Sequence, residues 1–192
     1  MFVFALAIGA YFFFLIILFT FQSSLLYHPD KSAQDPMLIG LSEMQPTLAE
    51  SKDGLKLLSW HAKGKPEQPI VVYMHGNAGN IASRGHKVRP FLDMGFGVLL
   101  VGYRGFGINP GKPTEEGLYA DARAALSILN KEGEPERPII LYGESLGTAV
   151  ATHIAAELAS ARKPVTALIL EAPFPSITSV ANSISTGSKI LR

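Results

Sequence analysis

Four short apolar runs, separated by stretches with helical spacing, constrain the fold of this 192-residue chain more than any other feature. Each run is almost continuously apolar, and the four cover residues 69–75, 96–103, 137–142 and 167–171. Runs of this length are typical of strands that are buried on both faces of a parallel sheet. Helical patterns lie between the runs, at residues 81–94, 115–131 and 146–161. Strands that alternate with helices predict an α/β fold.

Two further extended runs, at residues 43–49 and 55–61, precede these strands. They flank the tripeptide Lys52-Asp53-Gly54, and Asp-Gly between apolar runs is a strong signal for a hairpin. The sequence therefore predicts about six strands in a mostly parallel sheet, with helices on both faces and a hairpin at its start.

The composition excludes several classes of function. The chain has 17 Lys and Arg against 16 Asp and Glu, a formal net charge of +1, and no run of basic residues. A nucleic-acid-binding protein needs a basic face to replace the counterions on phosphates, so we expect no nucleic-acid partner. The chain also has no cysteine, which rules out disulfides, cysteine-ligated metals and a cysteine nucleophile. We expect neither a metal site nor a cofactor.

The N-terminal segment is apolar enough to enter a membrane. Residues 2–21 contain no charged side chain, and 20 helical residues rising ~1.5 Å each span ~30 Å, the thickness of the hydrocarbon core of a bilayer. We therefore predict a transmembrane helix over residues 1–22 and a single-pass membrane protein, with the orientation left open. A cleaved signal peptide and a buried core helix are the alternatives. Residues 23–42 are predicted to be a juxtamembrane linker, and residues 43–192 the folded domain.

The pentapeptide Gly143-Glu144-Ser145-Leu146-Gly147 is the strongest signal of chemistry. It directly follows a predicted buried strand and directly precedes a predicted helix. A sharp strand-to-helix turn presents the serine hydroxyl at its tip, and both flanking glycines are needed because a Cβ there would clash with neighbouring backbone. The helix that follows places the Leu146 N–H where an oxyanion would form. We predict that Ser145 is a nucleophile; the alternative is an ordinary glycine-bounded turn.

A second glycine-rich segment, HGNAGN at residues 75–80, follows the first buried strand. In an acyl-transfer site the second oxyanion donor comes from a loop of this kind, so the backbone N–H of Asn77 or Ala78 is the candidate. A plain connecting loop and a phosphate-binding loop are the alternatives. Neither this loop nor residues 102–112 satisfy the phosphate-loop pattern, since Pro113 stands where Ser or Thr is required. We therefore do not expect nucleotide binding.

Together these segments resemble the alpha/beta-hydrolase superfamily, in particular its membrane-anchored branch related to Bem46-like proteins and to alpha/beta-hydrolase-domain 13 and 17 proteins. HGNAGN, GYRGFG and GESLG stand in the family's order, and the apolar N-terminus is followed by the family's Tyr-x-Pro element at residues 27–29. The resemblance implies an alpha/beta-hydrolase fold. It also implies hydrolysis of carboxylic esters, thioesters or amides through an acyl-enzyme, with a small-molecule or lipid-like acyl substrate.

The resemblance assigns roles to particular residues. Ser145 is the implied nucleophile, and the amides of Leu146 and Asn77, with Ala78 as the alternative to Asn77, form the implied oxyanion hole. The strand-to-helix turn at Ser145, which we call the elbow, is supported by Gly143 and Gly147. The HGNAGN loop is supported by His75 and Gly76.

The sequence after Ser145 does not supply the rest of a serine-hydrolase triad. The family places an acid and then a histidine after the nucleophile, but the candidates here are only Glu157, Glu171 and His153. His153 lies ~12 Å further along the same helix at ~1.5 Å per residue, so we expect it to be a helix-face residue. Glu171 is expected to be structural, and His75 is the remaining candidate for a base.

The family's sheet has more strands than this chain accommodates. We therefore expect a chain that lacks the C-terminal third of the fold and is inactive or impaired. Two other hypotheses remain. One is a catalytically silent membrane-anchored module that uses its sheet edge for protein contacts, and the other is a serine peptidase of the same superfamily.

Overall fold

The computed structural model describes residues 2–131 and 137–173, so the end of the predicted domain, residues 174–192, lies outside the described residues. The helices are α1 (Phe2–Leu26), α2 (Gly85–Asp93), α3 (Glu115–Lys131) and α4 (Leu146–Ser160), with short 3₁₀ helices at Pro36–Ile39 and Ile81–Arg84. The strands are β1 (His28–Pro29), β2 (Gln45–Glu50), β3 (Lys56–Ala62), β4 (Ile70–Met74), β5 (Ala78–Gly79), β6 (Gly97–Leu100), β7 (Ile139–Glu144) and β8 (Ala167–Glu171).

Within the described residues, six strands form one mixed sheet in the order β2-β3-β6-β4-β7-β8. β2 and β3 are the predicted hairpin, with Glu50 opposite Lys56, and β3 also pairs antiparallel with β6. The remaining strands, β6, β4, β7 and β8, are parallel to one another. The predicted α/β class and the mostly parallel sheet of six strands are confirmed.

The sheet separates two apolar cores because side chains alternate between its faces along each strand. Val72, Met74 and Leu99 contribute to the core that includes α3 and α4. Tyr73 and Leu100, their neighbours in sequence, contribute to the core on the other face, which includes α2. Helices therefore cover both faces, and the carboxyl ends of the parallel strands meet at one edge.

The helix predicted over residues 81–94 is divided into two pieces. The side chain of Asn80 caps the first turn by accepting a hydrogen bond from the Ala82 N–H at 3.0 Å, and this turn is a 3₁₀ helix. The α-helical part begins at Gly85. Such 3₁₀ turns are common at the N-termini of α-helices, and the apolar spacing did not distinguish them from a continuous helix.

The N-terminal helix α1 is longer than the predicted transmembrane segment, since it continues to Leu26. Its side chains are described at positions 4, 6–21, 25 and 26, and the large apolar ones up to position 21 are exposed. No helix among the described residues is long and apolar enough to cross a membrane. The transmembrane prediction is therefore not confirmed.

Residues 23–42 contact the domain more closely than a linker would. Tyr27 and Leu41 are buried, and β1 pairs in parallel with β5 so that His28 lies opposite Ala78. The proline in this pair, Pro29, is at the end of a two-residue strand, a position that tolerates the loss of a backbone donor. Proline content alone therefore did not predict how this stretch packs.

A buried ion pair fixes the segment that follows β6. The Arg104 guanidinium donates to the buried Asp121 carboxylate at 2.7 Å and to Asp53 in the hairpin turn at 2.7 Å. The Arg104 backbone N–H also donates to Asp121, at 2.7 Å. Because charged hydrogen bonds of this kind are short and directional, they join the GYRGFG segment, α3 and the hairpin into one unit beside the candidate site.

Candidate active site

Ser145 occupies the bend where β7 becomes α4. Its φ is 50° and its ψ is −114°, so a residue other than glycine stands in a region of backbone space that L-residues rarely occupy. Two contacts hold this conformation: the Ser145 N–H donates to the Glu171 carbonyl at 2.9 Å, and the Ser145 carbonyl accepts from the Thr148 N–H at 2.9 Å. The predicted sharp turn around the serine is therefore present.

The two glycines that flank the bend lie against backbone. A Cβ on Gly143 would lie 2.5 Å from the Gly147 carbonyl oxygen, and a Cβ on Gly147 would lie 1.9 Å from the Met74 carbonyl oxygen. Both distances are far below a van der Waals contact. The elbow can therefore form against β4 only if these positions have no side chain.

The Ser145 side chain is partly exposed, and its hydroxyl forms no hydrogen bond with the described residues. Leu146 is the first residue of α4, where backbone N–H groups have no acceptor within the helix and carry the positive end of the helix dipole. The hydroxyl is accessible and lies next to an electropositive helix terminus, but it has no base beside it in the described part of the chain.

The HGNAGN loop reaches this bend from the end of β4. A Cβ on Gly76 would lie 3.4 Å from the Ser145 Cβ, so the loop and the elbow are in van der Waals range. Within the described residues the Asn77 N–H has no hydrogen-bond acceptor, and Ala78 begins the short strand β5. The structure thus brings the predicted oxyanion loop next to the predicted nucleophile.

His75 is a core residue of this loop. Its ring is fully buried and packs against Tyr103 and Phe106, with centroid distances of 4.5 and 5.0 Å. Nδ1 donates to the Gly76 carbonyl at 2.8 Å, while Nε2 has no partner. Burial is the main reason that the pKa of His75 falls to about 4, so the imidazole is neutral at pH 7. This geometry supports a role in shaping the loop rather than the role of base.

Arg84 and Glu144 form a connection that no pattern in the sequence predicted. Arg84 binds the Glu144 carboxylate through two hydrogen bonds of 3.0 Å, and it also donates to the Ala78 carbonyl at 2.7 Å. Tyr73 donates to the same carboxylate at 2.9 Å. Burial raises the pKa of Glu144, but the hydrogen bonds and the charge of Arg84 outweigh it, and the pKa is lowered. One guanidinium therefore links the residue before Ser145 to the oxyanion loop.

The candidate acid and base that follow Ser145 have other partners. His153 stacks on Tyr119 with a centroid distance of 3.8 Å and contacts Arg123 at 3.1 Å. The Glu171 carboxylate pairs with Lys87 and accepts a hydrogen bond from the Tyr142 hydroxyl at 2.7 Å. Lys87 and Tyr142 lower the pKa of Glu171, so this carboxylate is ionised at neutral pH. Both residues have the structural positions that the sequence predicted.

An open groove of about 370 Å³, a volume that includes open solvent, is lined in part by Asn80, the last residue of the HGNAGN loop. Its walls come from the segment after β1, from β3 and from the loops after β5 and β6, and they include Trp60, Asn80 and Phe106. Ser145 is not part of this lining. The groove is therefore separate from the candidate nucleophile.

Comparison with known proteins identifies the family of this chain. Residues 65–191 match the Hydrolase_4 family, described as serine aminopeptidase, S33. An uncharacterised protein of Mycobacterium tuberculosis, Rv2307c, is 37% identical over 163 residues, which are 83% of this chain and 56% of the mycobacterial protein. The zebrafish lysophosphatidylserine lipase ABHD12 is 36% identical over 141 residues, 70% of this chain and 35% of that protein. This chain thus spans only about a third to about half of these relatives.

The fold has a close counterpart among solved structures. An alpha-beta hydrolase from Vibrio vulnificus superposes with a TM-score of 0.65 at 24% identity, covering 86% of this chain and 66% of that one. A strand-to-helix serine bend at the carboxyl edge of a mostly parallel sheet defines an alpha/beta hydrolase, and the resemblance seen in the sequence motifs is confirmed. Within that class, the chain belongs to the Hydrolase_4 family.

Proposed function

We propose that this chain carries the nucleophile and the oxyanion hole of an acyl hydrolase that acts on carboxylic esters or thioesters through an acyl-enzyme on Ser145. The observation that carries the proposal is the strained bend at Ser145, with its accessible hydroxyl against the HGNAGN loop. Backbone strain of this kind persists where the surrounding structure enforces it, and it is concentrated at functional sites. The lipase name of the zebrafish relative supports a lipid-like acyl substrate.

In the proposed reaction, the Ser145 oxygen forms a bond to the acyl carbonyl carbon, and the carbonyl oxygen becomes an oxyanion. The backbone N–H groups of Asn77 and Leu146 stabilise that charge. The alcohol or thiol leaves with a proton, and water then hydrolyses the acyl-serine ester. The proton of the serine hydroxyl needs a base, and no histidine of the described residues forms a hydrogen bond with Ser145. We therefore propose that acylation by esters with poor leaving groups is slow, and that deacylation is slow whatever the ester.

An activated ester tests this function directly. With p-nitrophenyl butyrate we expect a burst of about one p-nitrophenolate per chain followed by a much slower steady state, because the good leaving group needs little acid–base assistance whereas deacylation does. Stopped-flow absorbance measures the burst, and intact-mass spectrometry detects the butyryl-enzyme. A linear time course at the rate of buffer alone would contradict the proposal and would favour a catalytically silent scaffold.

The peptidase alternative predicts a different preference. A serine peptidase of this family would also form an acyl-enzyme from an amino-acid p-nitroanilide, whereas an esterase or thioesterase would react with the oxygen and sulfur esters alone. The same burst assay with p-nitrophenyl, thiophenyl and p-nitroanilide substrates of equal acyl chain separates these two functions.

We further propose that α1 attaches the domain to a lipid bilayer. The proposal is supported by the absence of charge from position 2 to position 21 and by the exposed large side chains along the helix, such as Phe13, Phe14 and Phe19. Exposed apolar side chains in this number require an apolar partner.

Vesicle flotation tests this attachment. We expect the whole chain to float with phosphatidylcholine vesicles, and Phe13→Lys/Phe14→Lys to remain in the aqueous fraction, because each lysine at the centre of a membrane helix costs ~2.5–3.5 kcal/mol. Leu38→Lys is the control, since Leu38 is equally apolar and exposed but lies outside α1. Flotation of the double variant would show that α1 is not the anchor.

A further inference from the structure

The chain that connects α1 to the domain runs along the oxyanion loop and forms hydrogen bonds with it. The His28 N–H donates to the Asn77 carbonyl at 2.8 Å, and the Asp30 N–H donates to the Gly79 carbonyl at 2.9 Å. The Asn77 side chain donates in the opposite direction, to the Leu26 carbonyl at 2.8 Å. Backbone groups of the loop are thus satisfied by a segment about 50 residues earlier in sequence.

The same segment also contacts the GYRGFG loop. The Asp30 carbonyl accepts from the Gly107 N–H at 2.8 Å, and Lys31 donates to the Gly105 carbonyl. Residues 26–32, which we call the strap, are therefore hydrogen-bonded to both the HGNAGN loop and the GYRGFG loop.

Tyr27 fixes the strap to the core. Its ring is buried and meets Phe106 edge-on at a centroid distance of 6.5 Å. Phe106 in turn packs on His75, the first residue of the oxyanion loop. The strap thus holds the loop by backbone hydrogen bonds on one side and through aromatic packing on the other.

We propose that the strap is a positioning element of the active site: it holds the Asn77 N–H where the oxyanion forms. This inference rests on the proposed function of the loop. The loop contains Gly76 and Gly79, which restrict the backbone little, so contacts from outside must fix its conformation. A displacement of about 1 Å in such a site costs on the order of 100-fold in rate, and the strap restricts that movement.

A matched pair of variants at one position isolates the backbone contact. His28→Pro removes the N–H that binds the Asn77 carbonyl, and His28→Ala removes only an exposed imidazole and keeps the N–H. β1 is a two-residue strand in a two-stranded sheet, and proline is tolerated in edge strands. Asp30→Pro, which removes the bond to the Gly79 carbonyl, is a second variant that acts on the same loop.

Two readouts are measured on the whole chain. The first is hydrogen–deuterium exchange in the peptide that contains residues 76–80, which we expect to be about tenfold faster in His28→Pro and unchanged in His28→Ala, since a lost hydrogen bond changes a local equilibrium by about that factor. The second is phosphonylation of Ser145 by a fluorophosphonate. We expect the maximal rate to fall by about 10- to 100-fold, with an unchanged half-saturating concentration and an unchanged melting temperature.

The outcomes separate this inference from the function on which it rests. Unlabelled wild-type protein would contradict the proposed nucleophile, while the exchange measurement would still report whether the strap holds the loop. Equal exchange in the two His28 variants would overturn the positioning role. A loss of labelling that follows a lower melting temperature, with both proline variants, would also overturn it, because the strap would then contribute only to stability.

Discussion

Replacing Ser145 with alanine is expected to abolish covalent labelling of this chain by a fluorophosphonate. The reagent reacts when a serine oxygen attacks phosphorus and fluoride leaves, and the charge that develops on the phosphoryl oxygen needs the same amide donors as an acyl oxyanion. Ser145 is the residue whose hydroxyl lies at the strained bend against the HGNAGN loop. Intact-mass spectrometry, followed by peptide mapping of the adduct, measures the effect, and we expect a decrease of at least about 100-fold.

A second serine on the same helix provides the control for this experiment. Ser160 is exposed at the other end of α4, and its hydroxyl donates to the Ala156 carbonyl at 2.8 Å. Ser160→Ala is expected to be labelled at the wild-type rate. If Ser145→Ala keeps its adduct, or if the adduct maps to Ser160, the reactivity belongs to exposed hydroxyls in general and Ser145 is not a nucleophile.

The pH dependence of labelling reports on the missing base. His75 is the histidine of the loop beside the elbow. Burial lowers its pKa to about 4, and its Nδ1 is hydrogen-bonded within the loop. It therefore contributes no ionisation near pH 7. An imidazole base with an ordinary pKa would produce a plateau above about pH 7. The described residues provide none, which is consistent with the slow acylation that we propose.

Much of the fold could be predicted because it depends on local patterns. The parallel strands are short and apolar, and the helical spacing of α3 is clear in the sequence, so the predicted and observed bounds of Glu115–Lys131 coincide. The hairpin around Asp53 and Gly54 was likewise encoded by its turn residues. These patterns are local in sequence and do not depend on which residues pack against the strands and helices.

The contacts that organise the site could not be predicted, because they join residues far apart in sequence. Arg84 reaches Glu144 across 60 positions, and Asn77 reaches Leu26 across 51. Neither pair has a recognisable spacing, and an arginine in a helical stretch or an asparagine in a loop is ordinarily a surface residue. The motifs located the serine and its loop, whereas the side chains that hold them together became visible only in the folded structure.

Gly147→Ala is expected to have the largest effect on stability. The added Cβ would lie 1.9 Å from the Met74 carbonyl oxygen and 2.8 Å from the His75 carbonyl oxygen. Both are backbone atoms at the end of a central strand, so the overlap is relieved only if the first turn of α4 moves away from β4. We expect the free energy of unfolding to fall by about 3 kcal/mol or more, measured by urea denaturation. Fluorophosphonate labelling should fall as well, because the same movement displaces Ser145.

Gly76→Ala is the matched control, since Gly76 is also a glycine of the site and faces the same elbow. Its Cβ would lie 3.4 Å from Arg84 Nη2 and 3.4 Å from the Ser145 Cβ, which are ordinary van der Waals distances. We therefore expect a change of less than about 1 kcal/mol in stability. If Gly147→Ala were as stable as Gly76→Ala, the close packing of the elbow against β4 would be wrong. The accessible hydroxyl on which the proposed chemistry depends would then lose its structural basis.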